Sequence, residues 1–295
     1  MMNYLNDRTR EIVQNSSIEE RINTAKNFSW IGYTQSVNVF KKLDDLKNYP
    51  KVYRMPNLLL IGESNNGKTA ILRKYSERNE AYVRETDLQV INPVLYVQAP
   101  PEPDEKRFYN IILDNLFAPS KTTEKIDSRQ QRVLHLLKQM ETKILMIDEI
   151  HHVLAGSTRK QRTFLNVIKF LSNELQIPIV CAGTKDAFNA IQTDPQLSNR
   201  FEPKILPRWT NDIEYKRLLL SFEKVLPLKK ESMLIENSIA DNILNKSDGL
   251  IGEISKILEL SCIHAIETGK EKIDNQIINS IDYILPTKRR KQILH

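Results

Sequence analysis

A loop suited to holding phosphates is the feature of this sequence with the clearest chemistry. It reads Gly62-Glu63-Ser64-Asn65-Asn66-Gly67-Lys68-Thr69, directly after the apolar run at residues 58–61 and before a helix-forming stretch. The two glycines allow backbone angles at which successive N–H groups surround a phosphate chain. Lys68 reaches the β- and γ-phosphates, Thr69 binds Mg²⁺, and the helix directs its positive end at the anion. The pattern predicts a nucleoside triphosphate site.

Two adjacent carboxylates supply the second half of such a site. The apolar run at residues 144–147 ends in Asp148-Glu149. A carboxylate at the end of a buried strand holds Mg²⁺, and one beside it polarises the water that attacks the γ-phosphate. An Asp-Glu pair is more often a solvated strand end, but this one follows a phosphate loop at domain-scale distance. Small-molecule kinases and GTPases generally lack the second acid, so Glu149 favours hydrolysis of ATP.

Thr184 and Arg200 are further candidates for the hydrolytic site. Thr184 ends the apolar run at residues 179–183, where a polar residue commonly lies between the carboxylates and the γ-phosphate; it would also serve as the N-cap of a helix at residues 185–191. Arg200 precedes Phe201 just before the last predicted strand. Ring-forming ATPases place there an arginine finger that stabilises charge on the neighbour's γ-phosphate. The alternative for Arg200 is a surface salt bridge.

Two aromatic or imidazole clusters allow further hypotheses. Trp30, Ile31 and Tyr33 form either an apolar slot for the adenine ring or a contact that packs the N-terminal helix on the sheet. His151 and His152 follow the carboxylate pair. We expect no zinc site there, because adjacent residues do not face one ligand together and no second ligand pair has metal spacing.

Basic residues in three loops are candidates for contact with nucleic acid. They are Lys106-Arg107, the group Lys121, Thr122, Thr123 and Lys125, and Arg159-Lys160 with Arg162. Each alone is more often a solvated face. The net charge of +6 includes four charges at residues 288–291, which leaves 6 − 4 = +2 for the body of the protein. Any contact with nucleic acid must therefore come from a local stripe.

The alternation of short apolar runs and helical patterns predicts an α/β domain with a five-stranded parallel sheet flanked by helices. The predicted strands are residues 57–61, 93–97, 144–147, 177–182 and 204–206. After residue 209 four amphipathic helices are predicted, at residues 212–225, 234–245, 251–268 and 273–285, and they indicate a helical lid. We expect an N-terminal helical extension at residues 1–29, the phosphate-loop domain at 30–209, the lid at 210–285 and a basic tail at 286–295.

The bulk properties favour a soluble cytoplasmic protein. The chain has 295 residues, and no run approaches the roughly 18 apolar residues of a membrane span. The first residues are polar and unlike a signal peptide. Cys181 and Cys262 lie in apolar runs, which is typical of inert core residues in a reducing compartment.

The assembled motifs resemble one family, the TniB/TnsC transposition ATPases, a branch of the AAA+ P-loop NTPases. The resemblance covers roughly residues 20–285. It is carried by the phosphate-loop region at residues 54–69 and by these shorter segments: Leu154-Ala155-Gly156-Ser157 to Arg162, Phe164-Leu165-Asn166, Asn173-Glu174-Leu175, Gly183-Thr184-Lys185-Asp186-Ala187, Arg200-Phe201, Leu206-Pro207-Arg208-Trp209 and Gly249-Leu250-Ile251-Gly252-Glu253-Ile254.

This resemblance implies a prokaryotic, ATP-dependent regulator of transposition that binds duplex DNA without sequence preference. Such proteins assemble as homo-oligomeric rings or helical filaments, associate with the nucleoid when active, and recruit or activate a DDE-type transposase at a target chosen with a TniQ-type protein. The phosphate, Mg²⁺ and hydrolytic roles carry over to Lys68, Thr69, Asp148, Glu149 and Thr184. The DNA contacts carry over to Lys106, with Arg107, and to the loop Lys121, Thr123 and Lys125.

The sequence departs from the general AAA+ pattern at the start of the third lid helix. Many members carry there an arginine that touches the γ-phosphate, whereas residues 249–253 contain no basic residue. This implies that nucleotide state is sensed across subunit interfaces and that turnover is slow and regulatory. Two alternatives remain open. They are another AAA+ DNA machine, such as an initiator or helicase loader, and a nucleotide-switched signalling scaffold that does not bind DNA.

Overall fold

The computed structural model describes residues 2–27, 30–154, 156–192, 198–285 and 289. The chain divides into two compact units. The strand unit is Asn38–Leu206, and the helical unit combines Met1–Val37 with Pro207–His295. The N-terminal segment is therefore grouped with the residues that follow the last strand. The predicted domain boundaries at residues 29, 209 and 285 stay predictions.

The strand unit is built on a five-stranded parallel sheet, which confirms the predicted fold class. Its strands are β1 Asn57–Ile61, β4 Val94–Gln98, β5 Ile144–Asp148, β6 Ile179–Gly183 and β7 Phe201–Ile205, in the order β4-β5-β6-β1-β7. The three central strands are buried along their whole length, as expected for apolar runs covered on both faces. The last strand begins three residues earlier than predicted.

A second, two-stranded sheet was not predicted. It is an antiparallel hairpin of β2 Tyr82–Arg84 and β3 Gln89–Ile91. Tyr82, Val83 and Val90 are exposed. The hairpin therefore lacks the buried face that would produce a clear alternation in sequence.

Helices flank the large sheet and position its loops. They are α3 Thr34–Lys47, which crosses the unit boundary, α4 Lys68–Glu77, α5 Glu105–Asn115, α6 Ile126–Gln139, the 3₁₀ helix Ile150–Leu154, α7 Thr158–Leu175 and α8 Lys185–Gln192. Their apolar faces form one core with the strands. Phe108 of α5 and Phe164 of α7 are fully buried, with ring centroids 5.1 Å apart.

The helical unit has a separate apolar core. Its helices are α1 Asp7–Asn15, α2 Ile18–Lys26, α9 Ile213–Glu223, α10 Asn237–Ser247, α11 Ile251–Glu267 and α12 Asn275–Ser280. The last of these is shorter than the predicted helix at residues 273–285, because the backbone turns extended at Ile281. None of the helices in the described part of the chain is long and apolar enough to cross a bilayer.

A buried ion pair links the first and last parts of the helical unit. The Arg21 guanidinium is 1% exposed and donates to the Glu271 carboxylate and to the carbonyl oxygen of Pro227. Burial, the largest single influence, raises the pKa of Glu271, but the hydrogen bonds from Arg21 and the Lys229 N–H, together with the charges of both residues, outweigh it and the pKa is lowered. The pair therefore holds α2 against the segment after α11.

The start of α11 and the residue Arg289 meet at a second carboxylate. Glu253, 4% exposed, accepts hydrogen bonds from Tyr283 Oη at 2.5 Å and from Arg289 Nη2 at 2.8 Å. Most of the predicted basic tail, residues 286–295, lies outside the described residues. Arg289 is the described exception, and its charge is paired.

Candidate nucleotide site

The predicted phosphate loop connects β1 to α4 at the carboxyl edge of the sheet. Gly67, at φ 83°, lies in the left-handed region and forms the N-cap of α4, with no side-chain hydrogen bond to the first helical N–H groups. Asn65 is also left-handed, at φ 61°. Helix-terminal N–H groups without a side-chain cap are suited to bind an anion.

Neighbouring strands fix the position of this loop. The Gly62 N–H donates to the Gly183 carbonyl oxygen at 3.1 Å, at the end of β6. The Asn66 side chain is buried, and its Nδ2 donates to the Leu206 carbonyl oxygen at 2.8 Å, just past β7. The loop is thus held from both sides of β1, and its conformation is set before any ligand binds.

Lys68 is buried within the loop. Its Nζ donates to the carbonyl oxygens of Gly62 at 2.9 Å and Glu63 at 2.8 Å. Burial lowers the pKa of Lys68, and the carboxylates of Glu149 and Asp148 oppose that shift. The ammonium group therefore lies in the field of both predicted acids, where triphosphate oxygens would offer a stronger, charged acceptor.

Asp148 ends β5 and is 1% exposed. Its Oδ1 accepts from the Glu149 N–H at 2.8 Å and its Oδ2 from the Tyr96 hydroxyl at 3.0 Å. Burial raises the pKa of Tyr96, and its ring lies 5.7 Å from the Arg73 guanidinium. Tyr96 orients the carboxylate and was missed by sequence reasoning. The sequence feature that could have identified Tyr96 is its hydroxyl group within the otherwise apolar β4, the strand that pairs with β5.

Glu149 has a left-handed backbone, at φ 55°, that directs the chain out of the strand. Its Oε2 lies 3.2 Å from His151 Nε2. Burial lowers the pKa of His151, and repulsion by His152 adds to that shift, while Glu149 opposes it. The neutral ring can donate its Nε2–H to Glu149, which leaves Nδ1 as the unprotonated nitrogen. That Nδ1 is buried and has no partner among the described residues.

The geometric reason given above against a shared ligand for the two histidines is wrong. In the 3₁₀ helix the rings of His151 and His152 lie with centroids 4.8 Å apart. One ligand atom from each, together with one from Glu149, falls within 4.8 Å. Tight winding of the helix brings the adjacent side chains together, and the contact it produces is between His151 and Glu149.

Thr184 follows β6 at the same edge, next to the end of β5. Its carbonyl oxygen accepts from the Ala187 N–H at 3.1 Å, which places it at the start of α8. Gly183 allows this approach, since a Cβ there would lie 2.9 Å from both Ala187 Cβ and Ile150 Cγ2. The predicted helix-starting position of Thr184 is thus compatible with its predicted position beside the carboxylates.

Arg200 lies at the opposite edge of the sheet. Its carbonyl oxygen accepts from the N–H of Asn57, the first residue of β1, and its Nη1 donates to Asn173 Oδ1 at 2.6 Å. Five residues of β1 separate that position from the phosphate loop, or about 16 Å at about 3.3 Å per residue. Arg200 is therefore remote from the phosphate loop of its own chain.

The predicted DNA-binding residues are exposed and lie between β4 and β5 in the chain. Lys106 and Arg107 are in the first turn of α5, and Lys121, Thr123 and Lys125 lie in the loop before α6. The loop is organised by Arg129, which is 1% exposed. Arg129 donates to the carbonyl oxygens of Lys121 at 2.6 Å and Glu124 at 3.1 Å, to Ser120 Oγ at 2.9 Å and to Asn110 Oδ1.

The predicted adenine-slot residues belong to the helical unit. Tyr33 packs edge-on against Trp209, with ring centroids 5.3 Å apart, and burial raises the pKa of Tyr33 to about 12. Ile31 and Tyr33 pack against the core of the helical unit. The alternative contact with the sheet is thus replaced by a contact within the helical unit. The role of Trp30, Ile31 and Tyr33 in binding adenine stays a prediction.

Comparison with solved structures defines the class of the fold. The ORC1 protein of Aeropyrum pernix, solved in complex with DNA, superposes with a TM-score of 0.62 at 16% identity, covering 97% of this chain and 69% of that chain. Domain III of the replication initiation protein DnaA from Thermotoga maritima gives 0.51 at 16% identity, covering 86% and 92%. The fold is that of the AAA+ ATPases.

Sequence relatives and a family model make the assignment more specific. The chaperone protein ClpB of Aquifex aeolicus is 29% identical over 158 residues, covering 53% of this chain and 14% of that protein. The chloroplastic ClpA homologue of Brassica napus is 27% identical over 184 residues, covering 58% and 19%. The chain spans less than a fifth of the length of these two relatives. The model of the bacterial TniB protein matches residues 21–211, and the chain belongs to that family.

Proposed function

We propose that this protein is an ATPase that assembles on duplex DNA in its ATP-bound state and recruits or activates a DDE-type transposase at the target. The observation that carries the proposal is the convergence of Lys68, Asp148 and Glu149 at one edge of the sheet. Exposed basic residues in the first turn of α5 and in the loop before α6 support the DNA-binding part of it. Membership in the TniB family supports the connection to transposition.

The residues at the phosphate edge fit ATP and Mg²⁺. The α4 N–H groups lack a side-chain cap, and Asp148 is a buried carboxylate already oriented by Tyr96. Half-buried Thr69 lies one residue into α4. Thr69 and Asp148 would hold the metal ion. When bound, it would neutralise charge on the β- and γ-phosphate oxygens.

Glu149 is the general base of the proposed hydrolysis. Its carboxylate accepts a proton from the attacking water, and Thr184 helps to orient that water from the end of β6. The contact from His151 restrains Glu149. If Glu149 had to leave this contact before it could act as the base, that step would slow hydrolysis, which is the reason we propose slow, regulatory turnover.

Arg200 acts on the nucleotide of a neighbouring subunit. It is about 16 Å from its own phosphate edge, so a role in hydrolysis requires a second copy of the chain. Hydrolysis would then depend on assembly into a ring or filament, and ATP cleavage would weaken the contact that holds the assembly together.

The basic loops contact the phosphate backbone of DNA. Lys106, Arg107, Lys121 and Lys125 are exposed cations, and contacts between cations and phosphates carry no direct sequence information, which supports sequence-independent binding. Repetition of the same loops around an oligomer multiplies a few contacts per subunit. A TniQ-type protein would supply the choice of target.

The proposal is tested by fluorescence anisotropy with a labelled duplex of random sequence, in ATP, in ADP and without nucleotide. We expect binding with ATP and Mg²⁺, at least tenfold weaker binding with ADP, and a log–log salt slope of about 0.9 per neutralised phosphate. The matched variant Lys68→Ala should not bind in any condition. Tight binding that is independent of nucleotide, or no binding by an ATP-loaded protein, would contradict the proposal.

A further inference from the structure

A narrow cleft in the strand unit takes no part in the site described above. It has a volume of about 500 Å³ and is lined by the connections that lead into β1, β5 and β6. Met55, Lys143 and Pro178 stand one or two positions before those strands. Since the strands are parallel and about 16 Å long, the cleft lies at the sheet edge opposite the phosphate loop.

The cleft combines an apolar floor with a basic rim. The floor is formed by buried side chains: Met55, Leu137, Leu175 and Ile177. The rim carries exposed ammonium groups: Lys51, Lys138 and Lys143. Tyr49 is 46% exposed beside them. A volume of this size is ordinary for a specific ligand site, which is mostly apolar with a few polar groups that fix orientation.

Among the described residues, the charges on the rim have no counter-charge. Across the ranges that the structure describes, no carboxylate lies within ion-pair distance of Lys51, Lys138 or Lys143. The carboxylate of Glu141, which also lines the cleft, is taken up by Arg84 at 2.7 Å. The cleft therefore presents an excess of positive charge.

One buried hydroxyl in the wall lacks a partner among the described residues. The left-handed φ of Glu141 and Gln176, 51° and 50°, belongs to the C-terminal ends of α6 and α7, where helices commonly terminate in that conformation. Between the strand entry and Glu141, the Thr142 hydroxyl is buried and has no hydrogen-bond partner in the described part of the chain. A buried hydroxyl without a partner is unfavourable until a ligand or a small rotation satisfies it.

We propose that this cleft binds an extended acidic peptide segment of a partner protein, with carboxylates on the lysine rim and an apolar side chain on the floor. The concave shape and apolar floor favour a peptide over duplex DNA, whose convex backbone would reach the rim ammonium groups and leave the floor uncovered. The site is separate from the phosphate loop, so it recruits a partner without displacing nucleotide.

The test uses phage-displayed random 12-residue peptides, selected on the full-length ATP-bound protein and sequenced. The cleft variant is a triple charge reversal that combines Lys51→Glu, Lys138→Glu and Lys143→Glu. Its control has the same change in charge at exposed lysines elsewhere and combines Lys26→Glu, Lys41→Glu and Lys272→Glu. We expect peptides with two or more acidic residues flanking an apolar one. Their affinity, measured by anisotropy, should fall about tenfold or more in the cleft variant and less than about twofold in the control.

Several results would overturn the proposal. They are enrichment without acidic residues, equal loss of affinity in both variants, and displacement of the selected peptide by a twelve-nucleotide single strand at equal concentration, which would assign the cleft to nucleic acid. Loss of ATP-dependent self-assembly in the cleft variant would instead make the cleft a subunit interface. Because ATP hydrolysis and DNA binding are measured on the same variants, failure here is distinguishable from failure of the proposed function.

Discussion

Replacing Arg129 by methionine should disorganise the predicted DNA-binding loop while leaving the nucleotide site intact. Methionine retains the aliphatic stem but removes the hydrogen bonds to Ser120 Oγ and to the carbonyl oxygens of Lys121 and Glu124. With the bond to Asn110 and a long one, 3.5 Å, to the Thr122 carbonyl oxygen there are five interactions, and at about 1 kcal/mol net each the upper bound is about 5 kcal/mol. Water reaches the released loop carbonyls, so we expect a loss of about 2–4 kcal/mol in the free energy of unfolding.

The functional consequence follows from conformational entropy. A loop that must be ordered again when DNA binds costs about 1 kcal/mol for each residue fixed. Ordering even two residues of the Lys121–Lys125 loop would weaken DNA binding by at least about tenfold. ATP hydrolysis in the absence of DNA should change by less than about twofold, since Arg129 contacts none of the nucleotide-site residues in the described part of the chain.

The assays are urea unfolding, DNA anisotropy and phosphate release on the same preparations. Arg132→Met is the matched control, because Arg132 lies on the same helix, is 39% exposed and pairs with Glu124 at 2.9 Å. Arg132 also donates to the Ala118 carbonyl oxygen at 3.0 Å, but its guanidinium is partly exposed, so the contacts it makes contribute about 1–2 kcal/mol at most. This variant should therefore lose clearly less stability and less DNA affinity than Arg129→Met. The reasoning fails if Arg129→Met unfolds at the wild-type urea concentration and binds DNA with wild-type affinity.

Three further predictions concern the nucleotide site and the helical unit. Lys68→Ala should abolish ATP binding measured by calorimetry, and equal ATP affinity for this variant and wild type would refute the phosphate-loop assignment. Glu149→Gln should instead bind ATP normally, hydrolyse it poorly and hold assemblies together. Arg200→Ala should bind ATP, yet its rate of ATP hydrolysis should fall about 10³–10⁵-fold where this residue is the main electrophile. Mixing it with Glu149→Gln should restore some hydrolysis, and co-assembled mixtures that stay inactive at every ratio would contradict the role of Arg200 in a neighbouring site. Arg21→Met should lower the free energy of unfolding by about 3–5 kcal/mol. The lowered pKa of Glu271 stabilises the fold above its unfolded pKa of about 4.3. That contribution is lost as pH falls through the folded value, so the gap in melting temperature between wild type and Arg21→Met should narrow below pH 4, and a constant gap would contradict the linkage.

Local sequence patterns were sufficient for the five-stranded sheet and for placing the phosphate loop and Asp148 at its carboxyl edge. Fully buried parallel strands are continuous apolar runs, so β1, β5 and β6 were recognisable without their partners. The phosphate loop and Asp148 then met at one edge because parallel strands end together. The exposed β2–β3 hairpin gave no such pattern.

The contacts that sequence reasoning missed join residues that are far apart in the chain, or involve a residue that no local pattern marks. Tyr96 reaches Asp148 across 52 positions, and Arg21 reaches Glu271 across 250. No periodicity relates such partners. No local pattern singled out Arg129, although its burial makes it the organiser of the preceding loop. The expectation that His151 and His152 cannot face one ligand was wrong for another reason. It relied on the side-chain spacing of an α-helix, which does not hold in a 3₁₀ turn.

The central claim is that the segments that carry Lys106 and Lys121 hold DNA in an ATP-dependent assembly. The most direct test measures ATP-dependent DNA binding of two variants. One carries both Lys106→Ala and Lys121→Ala, and the other lacks residues 287–295. The account predicts that the double substitution abolishes binding, whereas the deletion spares it. Loss of binding on deletion, with binding retained by the double substitution, would contradict the account.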